Sequence, residues 1–136
     1  MILEPDSLLK LSYNTQTHIL SITWPDLEGT PLAEIEDSLN KVARNINHFD
    51  IRKFLADHRS GFNKLEDPDY KKMLERYHRK LAATNLEKIA RLIPDEPAWE
   101  YLIKSYTREL EQKLNLPFKI RYFKDKTEAL NWLKEY

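Results

Sequence analysis

Cysteine is absent from the 136 residues. Disulfides, thiolate nucleophiles and cysteine-based metal sites are excluded with it, and the absence fits a reducing cytoplasm, which is the expected location. Glycine occurs at only two positions, Gly29 and Gly61. A P-loop or a dinucleotide-binding turn needs several closely spaced glycines, so those nucleotide chemistries are excluded and no cofactor is expected. A surplus of one charge is also missing, with Lys plus Arg equal to Asp plus Glu at 22 each. Without a net field to draw in a polyanion, no nucleic-acid partner is expected. No apolar run approaches the roughly 20 residues that cross a bilayer. The N-terminal MILEPDSLLK has no basic stretch leading into an apolar one, so neither a secretory signal nor stable membrane insertion is expected. Length fits one domain with a sizeable core.

What is present is a regular succession of short apolar strands and amphipathic helices. Leu9, Leu11 and Tyr13 alternate with polar residues, as do Leu20, Ile22 and Trp24, on either side of Asn14-Thr15-Gln16-Thr17. This pattern predicts a β-hairpin. Thr30-Pro31 then reads as a cap and first helical position, followed by Leu32, Ile35, Leu39, Val42, Ile46 and Phe49 at spacings of three and four. Burying that stripe contributes on the order of 10 kcal/mol before conformational entropy is subtracted. Ile51 to Ala56 predicts a strand buried on both faces. Asp57 to Glu66 predicts a polar loop, and Asp67-Pro68 starts a helix with Tyr70, Leu74, Tyr77 and Leu81 on one side, ending near Asn85. Ile89 to Ile93 predicts a further strand. Trp99 to Leu114 predicts a helix with a favourable Glu109–Lys113 pair. Phe118 to Phe123 predicts the last strand, and Asp125 with Glu128 suits a capping box ahead of Ala129, Leu130, Trp132 and Leu133. The order is β-β-α-β-α-β-α-β-α, which implies an α/β fold with a mostly parallel sheet and an antiparallel N-terminal hairpin.

The closing segment IRYFKDKTEALNWL resembles the end of the SpoIIAA-like branch of STAS-type domains, where an aromatic strand end precedes an acidic turn, Glu-Ala-Leu and Trp-Leu. The hairpin ending in Trp24-Pro25, the segment IRKFLADHRSGF and the segment LEKIARLIPD are similar to the corresponding elements of that family. The resemblance covers nearly the whole chain in element order. It implies a single cytoplasmic α/β domain without enzymatic activity that regulates by binding a protein partner. The family is also related in fold to CRAL-TRIO lipid-binding domains. Some members are phosphorylated on a serine in an Asp-Ser-x-Gly-type turn after the third strand. Here that turn reads Asp57-His58-Arg59-Ser60-Gly61. Ser60 is therefore the candidate phosphorylation site, displaced from the family's position.

Ligands of open α/β sheets sit beyond the carboxyl ends of the strands. That edge gathers Asp57, His58, Arg59 and Ser60 from one loop, Asp95 and Glu96 from the next, and Lys124 and Asp125 from a third. The first four read either as a solvated loop in which Asp57 holds Arg59, or as a site for an anion or for proton transfer. Arg91 lies mid-strand among apolar residues, so it must pair or snorkel to an edge; an ion pair with an acid of a neighbouring strand or helix is expected, with contact to a bound anion as the functional alternative. Phe62 and Leu65 are apolar residues in the polar loop, suited to packing on the sheet, gating a pocket or meeting a partner. The four histidines fall in four separate elements, with no pair at metal-ligand spacing, so no metal site is expected. Two functions follow as expectations. The first is a regulatory module that binds a protein partner around Asp57 to Leu65. The second is a carrier or sensor of a small apolar or lipid-like ligand, with a cavity beneath that loop. A third reading, an enzyme using Asp57 and His58, requires both side chains to converge on one cleft. The sequence does not specify oligomeric state.

Overall fold

Two segments, Lys10–Asn14 (β1) and Ile19–Thr23 (β2), form the antiparallel hairpin that opens the chain. Its turn is an Asn-centred one: the Asn14 side-chain oxygen accepts from the backbone N–H groups of Gln16 and Thr17, the local competition with backbone pairing at which Asn excels. The computed structural model describes residues 3–60 and 65–135 of the chain. Next come α1 (Leu32–His48), β3 (Lys53–Asp57), α2 (Pro68–Ala82), β4 (Lys88–Leu92), α3 (Pro97–Lys113), β5 (Lys119–Phe123) and α4 (Lys126–Lys134). The strands lie in the order β1-β2-β3-β4-β5, antiparallel at the first pairing and parallel at the other three. This is the expected topology.

Each helical crossover advances one strand in the same direction. Because such crossovers are right-handed, α1, α2 and α3 share one face of the sheet. The core divides accordingly. Leu20, Ile22, Phe54, Ala56 and Ile89 pack beneath Ile35, Leu39, Met73, Tyr77 and Leu110 of the three crossover helices. On the other face, Ile19, Leu55, Ala90 and Leu92 meet Ala129, Trp132 and Leu133 of α4. Phe54 and Leu55 are neighbours yet belong to different clusters, as expected of a parallel strand buried on both faces. The helix α4 is held by the Asp125 carboxylate, which accepts from the Glu128 N–H at 3.0 Å. At its far end Lys88 donates to the carbonyls of Trp132 and Glu135.

Several boundaries differ from the sequence expectation. Ile51 is not in β3, because its N–H closes the end of α1 on the Ile46 carbonyl at 2.9 Å. Thr30 does not cap α1: Pro31 holds that position and no side chain caps the helix. Asp67 does cap α2, accepting from the Asp69 N–H at 2.9 Å. The predicted Glu109–Lys113 pair gives way to a tertiary contact, in which Lys113 reaches Glu75 of α2 at 3.3 Å. The chain of α2 ends at Ala82 rather than near Asn85, whose side chain instead donates to Asp50.

Candidate ligand-binding cavity

The sheet register lines up one row of side chains on the three-helix face: Leu11, Ile22, Ala56, Arg91 and Tyr122. Ala56 is the smallest of them and lies beside Arg91. One step further, continuing backbone hydrogen bonds carry the ladder past the formal strand ends: Trp24 donates to Asp57, His58 to Leu92 and Ile93 to Phe123. Trp24, His58 and Ile93 thereby form a second row on the same face. Above these rows is a cavity of about 80 Å3. Its roof comes from Tyr70, Leu74, Tyr77 and His78 of α2 and from Trp99, Ile103, Tyr106 and Thr107 of α3, with Leu39 of α1 and the loop residues Leu27 and Leu65 closing the side. The cavity sits at the carboxyl ends of parallel strands, where this class of sheet presents ligand sites.

Among the described residues, Arg91 is the only Arg, Lys, Asp or Glu on the cavity wall. Its guanidinium donates to Nε2 of His78 at 2.8 Å. The Nδ1 of His78 lies 2.7 Å from the Leu74 carbonyl. A carbonyl can only accept, so Nδ1 carries the proton and Nε2 is left as an acceptor for Arg91. His78 is therefore a neutral tautomer that orients the guanidinium without neutralising it. Burial, reinforced by the Arg91 charge and opposed by the Leu74 carbonyl, pushes the His78 imidazole down to about 3. The ring of His58, stacked on Trp24 at 5.2 Å, is likewise pushed down to about 3, by burial first and by Arg91 second. Burial pushes the Tyr70 hydroxyl up to about 12 and raises Tyr77 and Tyr106 as well, with Arg91 working the other way. The Tyr106 hydroxyl donates to the Lys71 carbonyl, and Thr107 shares a hydrogen bond with Tyr122.

Two buried side-chain N–H groups find no acceptor among the described residues: Nε of Arg91 and Nε1 of Trp24. Both belong to residues that line the cavity. Arg91 takes part in none of the ion pairs of the described residues. The expectation that it pairs with a neighbouring acid is thus corrected. The row position of Arg91 faces Ala56 and Tyr122, and the helix above it offers an imidazole.

The other sequence candidates separate from one another. His58, Leu65 and Arg91 meet at the cavity, and Leu65 is buried. Asp57 does not line it: alternation along the chain places Asp57 in the row with Leu92 and Phe123, away from His58. Its carboxylate accepts from the Arg59 guanidinium at 2.8 and 3.0 Å. Burial works to raise the Asp57 pKa, but these bonds and the Arg59 backbone N–H hold it below the usual carboxylate range. Asp57 and His58 do not converge on one cleft, which removes the geometry the enzymatic reading required. Ser60 is exposed in the turn that follows. Asp95 is exposed and accepts from Lys124 at 2.9 Å, outside the cavity. Phe62 lies outside the described residues. Sequence reasoning passed over Trp24, Tyr70, Tyr77, His78 and Tyr106 as site residues. The available signal was the polar edge on the inner side of α2, where Tyr70, Tyr77 and His78 recur at helical spacing.

No family model, curated protein or solved structure matches this chain. The likeness to SpoIIAA-like domains therefore stays with the short motifs that suggest it. Among the described residues no helix is long and apolar enough to cross a membrane.

Proposed function

We propose that this chain is a non-enzymatic, cytoplasmic binding module that takes a small ligand with an apolar body into the cavity above β3 and β4, as a carrier or sensor. The observation that carries the reading is the cavity itself: about 80 Å3 walled mostly by aromatic and aliphatic side chains at the strand carboxyl ends. Protein interiors are close-packed, and voids larger than a water are few in a domain. A cavity of about 150 Å3 takes benzene, so this one encloses a short aliphatic group or the end of a longer molecule. The alternative expectation, a regulatory partner bound around Asp57 to Leu65, rests on the family resemblance.

Amide chemical-shift mapping of the purified chain tests the proposal. Four straight-chain probes of about six heavy atoms each, of which the cavity would enclose one end, would be titrated separately: 1-pentanol, butyramide, butyrate and pentylamine. Saturable shifts concentrated at Ala56, His58, Leu74, Tyr77 and Ile103 are expected for at least one probe. If no probe moves these residues more than the distant α4, the cavity is not a ligand site.

A further inference from the structure

The cavity is unbalanced in two respects, and both point to the same kind of occupant. The first is hydrogen bonding. Nε of Arg91 and Nε1 of Trp24 are buried donors without acceptors, while no buried side-chain acceptor among the described residues lacks a donor. A ligand that completes the site must bring acceptors. The second is charge. Arg91 contributes one positive charge, no carboxylate of the described residues stands on the wall, and His58 and His78 are held neutral. A partly buried cation without a counter-charge, set against apolar walls, attracts one. A dianion would face a single cation and leave a net negative charge among tyrosines and leucines, whereas a monoanion neutralises the site. The guanidinium presents its donors in a planar fork that matches a carboxylate, and the bond to His78 fixes its orientation.

We propose that the ligand is a small organic monocarboxylate, its carboxylate accepting from Arg91 and Trp24 and its short apolar body lying against Ala56, Tyr77 and Ile103. This deepens the binding reading above and rests on it. His78 is the positioning residue: its Nδ1–H is anchored on the α2 backbone, so Nε2 holds the guanidinium toward the cavity. Trp24 stacks on His58, which keeps the indole plane fixed.

The experiment is calorimetric titration of the full chain with butyrate and with butyramide, which share size and shape and differ in charge. Butyrate is expected to bind at least about tenfold tighter, the ratio that separates a charge-assisted bond from a neutral one. The variant Arg91→Met should abolish the preference, bringing the ratio to about one, while weak butyramide binding persists. Trp24→Phe keeps the stacking ring, removes the N–H, and should weaken butyrate about three- to tenfold and butyramide by less, because a charged acceptor makes the stronger bond; it gives a second route should Arg91→Met not fold. Equal binding of the two probes by the wild-type chain would overturn the monocarboxylate assignment and leave the cavity reading intact. Binding of neither probe, together with no response to 1-pentanol, would overturn both. Calorimetric binding of chloride or sulfate as tight as that of butyrate would overturn the carboxylate assignment in favour of a general anion hole.

Discussion

Replacing Arg91 by Met should make the ligand-free protein more stable. In the wild type, one guanidinium N–H is bonded to a neutral imidazole and Nε has no acceptor. A buried N–H left unmade costs about 1–3 kcal/mol, and removing a cation from water without a partner carries a penalty of several kcal/mol. The second figure is reduced here because the Arg91 side chain is only partly buried. Against these stands the bond to His78, worth about 1.5–3 kcal/mol as a bond to a charged donor, whose loss also strands the Nε2 lone pair. Met is close to Arg in reach and keeps the aliphatic contacts with the cavity wall. The balance favours the variant by about 1–2 kcal/mol, in the range seen when buried charges are replaced by apolar residues. Urea unfolding near pH 7.5 without carboxylate buffers measures it, as a higher midpoint at an unchanged slope. With butyrate at about 100 times its wild-type dissociation constant the wild type should gain about 2.7 kcal/mol by mass action and the variant, binding about tenfold more weakly, about 1.4 kcal/mol, so the variant's advantage narrows by about 1.3 kcal/mol. Destabilisation of the free protein by more than about 1 kcal/mol would show that Arg91 is already compensated, and the reasoning from an unpaired charge would fail.

Three further outcomes are expected. The folded-state values of His58 and His78 lie near 3, below the unfolded 6.5, so the unfolded chain binds protons the native one refuses; stability is retained above about pH 6.5 and falls as pH drops toward 3, by at most about 1.4 kcal/mol per pH unit for each histidine. His78→Gln, whose amide oxygen can still accept from Arg91, should remove about half of that slope between pH 6 and 4 in urea-midpoint measurements, and an unchanged slope would contradict the buried neutral imidazole. Ala56→Val adds two methyl groups beside the cavity and should stabilise by about 1–1.5 kcal/mol from burial of apolar area while abolishing the butyrate response; a destabilised protein would mean the space beside Ala56 is already filled. Leu133 is fully buried on the α4 face, and Leu133→Ala should lower stability by about 2–5 kcal/mol in thermal unfolding, with butyrate affinity preserved because the cavity lies on the other face.

The element order and the sheet arrangement were legible because each depends on local periodicity and on crossover handedness. The Leu32–Phe49 stripe, the doubly buried Phe54-Leu55-Ala56 and the Asp67-Pro68 start all carry their signal within a few residues. Boundary errors came where a particular hydrogen bond outweighs the apolar pattern, as at Ile51, which that pattern assigns to a strand and a backbone bond to Ile46 assigns to the helix exit. The site was legible in part. Arg91 stood out as a charge in an apolar run, but its partner did not, since nothing local reveals that His78, thirteen residues earlier, faces it from the helix above. Tyr70 and Tyr77 read as core because a helical stripe specifies which side is inward and not whether the space beneath is full. That space exists because Ala56 falls in register beside Arg91, a juxtaposition fixed only when β3 and β4 pair.

The sequential strand order bears on how the chain assembles. Every neighbouring pair of strands is also consecutive in the chain, and the β3–β4 registration of Lys53 with Lys88 closes a loop holding a single helix. Loop-closure entropy therefore enters in small instalments, which favours rapid folding for a mostly parallel sheet. The cavity draws walls from α1, α2 and α3 together, so it comes into being only when the third crossover has docked. A ligand bound there can recognise the finished fold and none of its precursors, and its whole binding energy then opposes unfolding of that last unit.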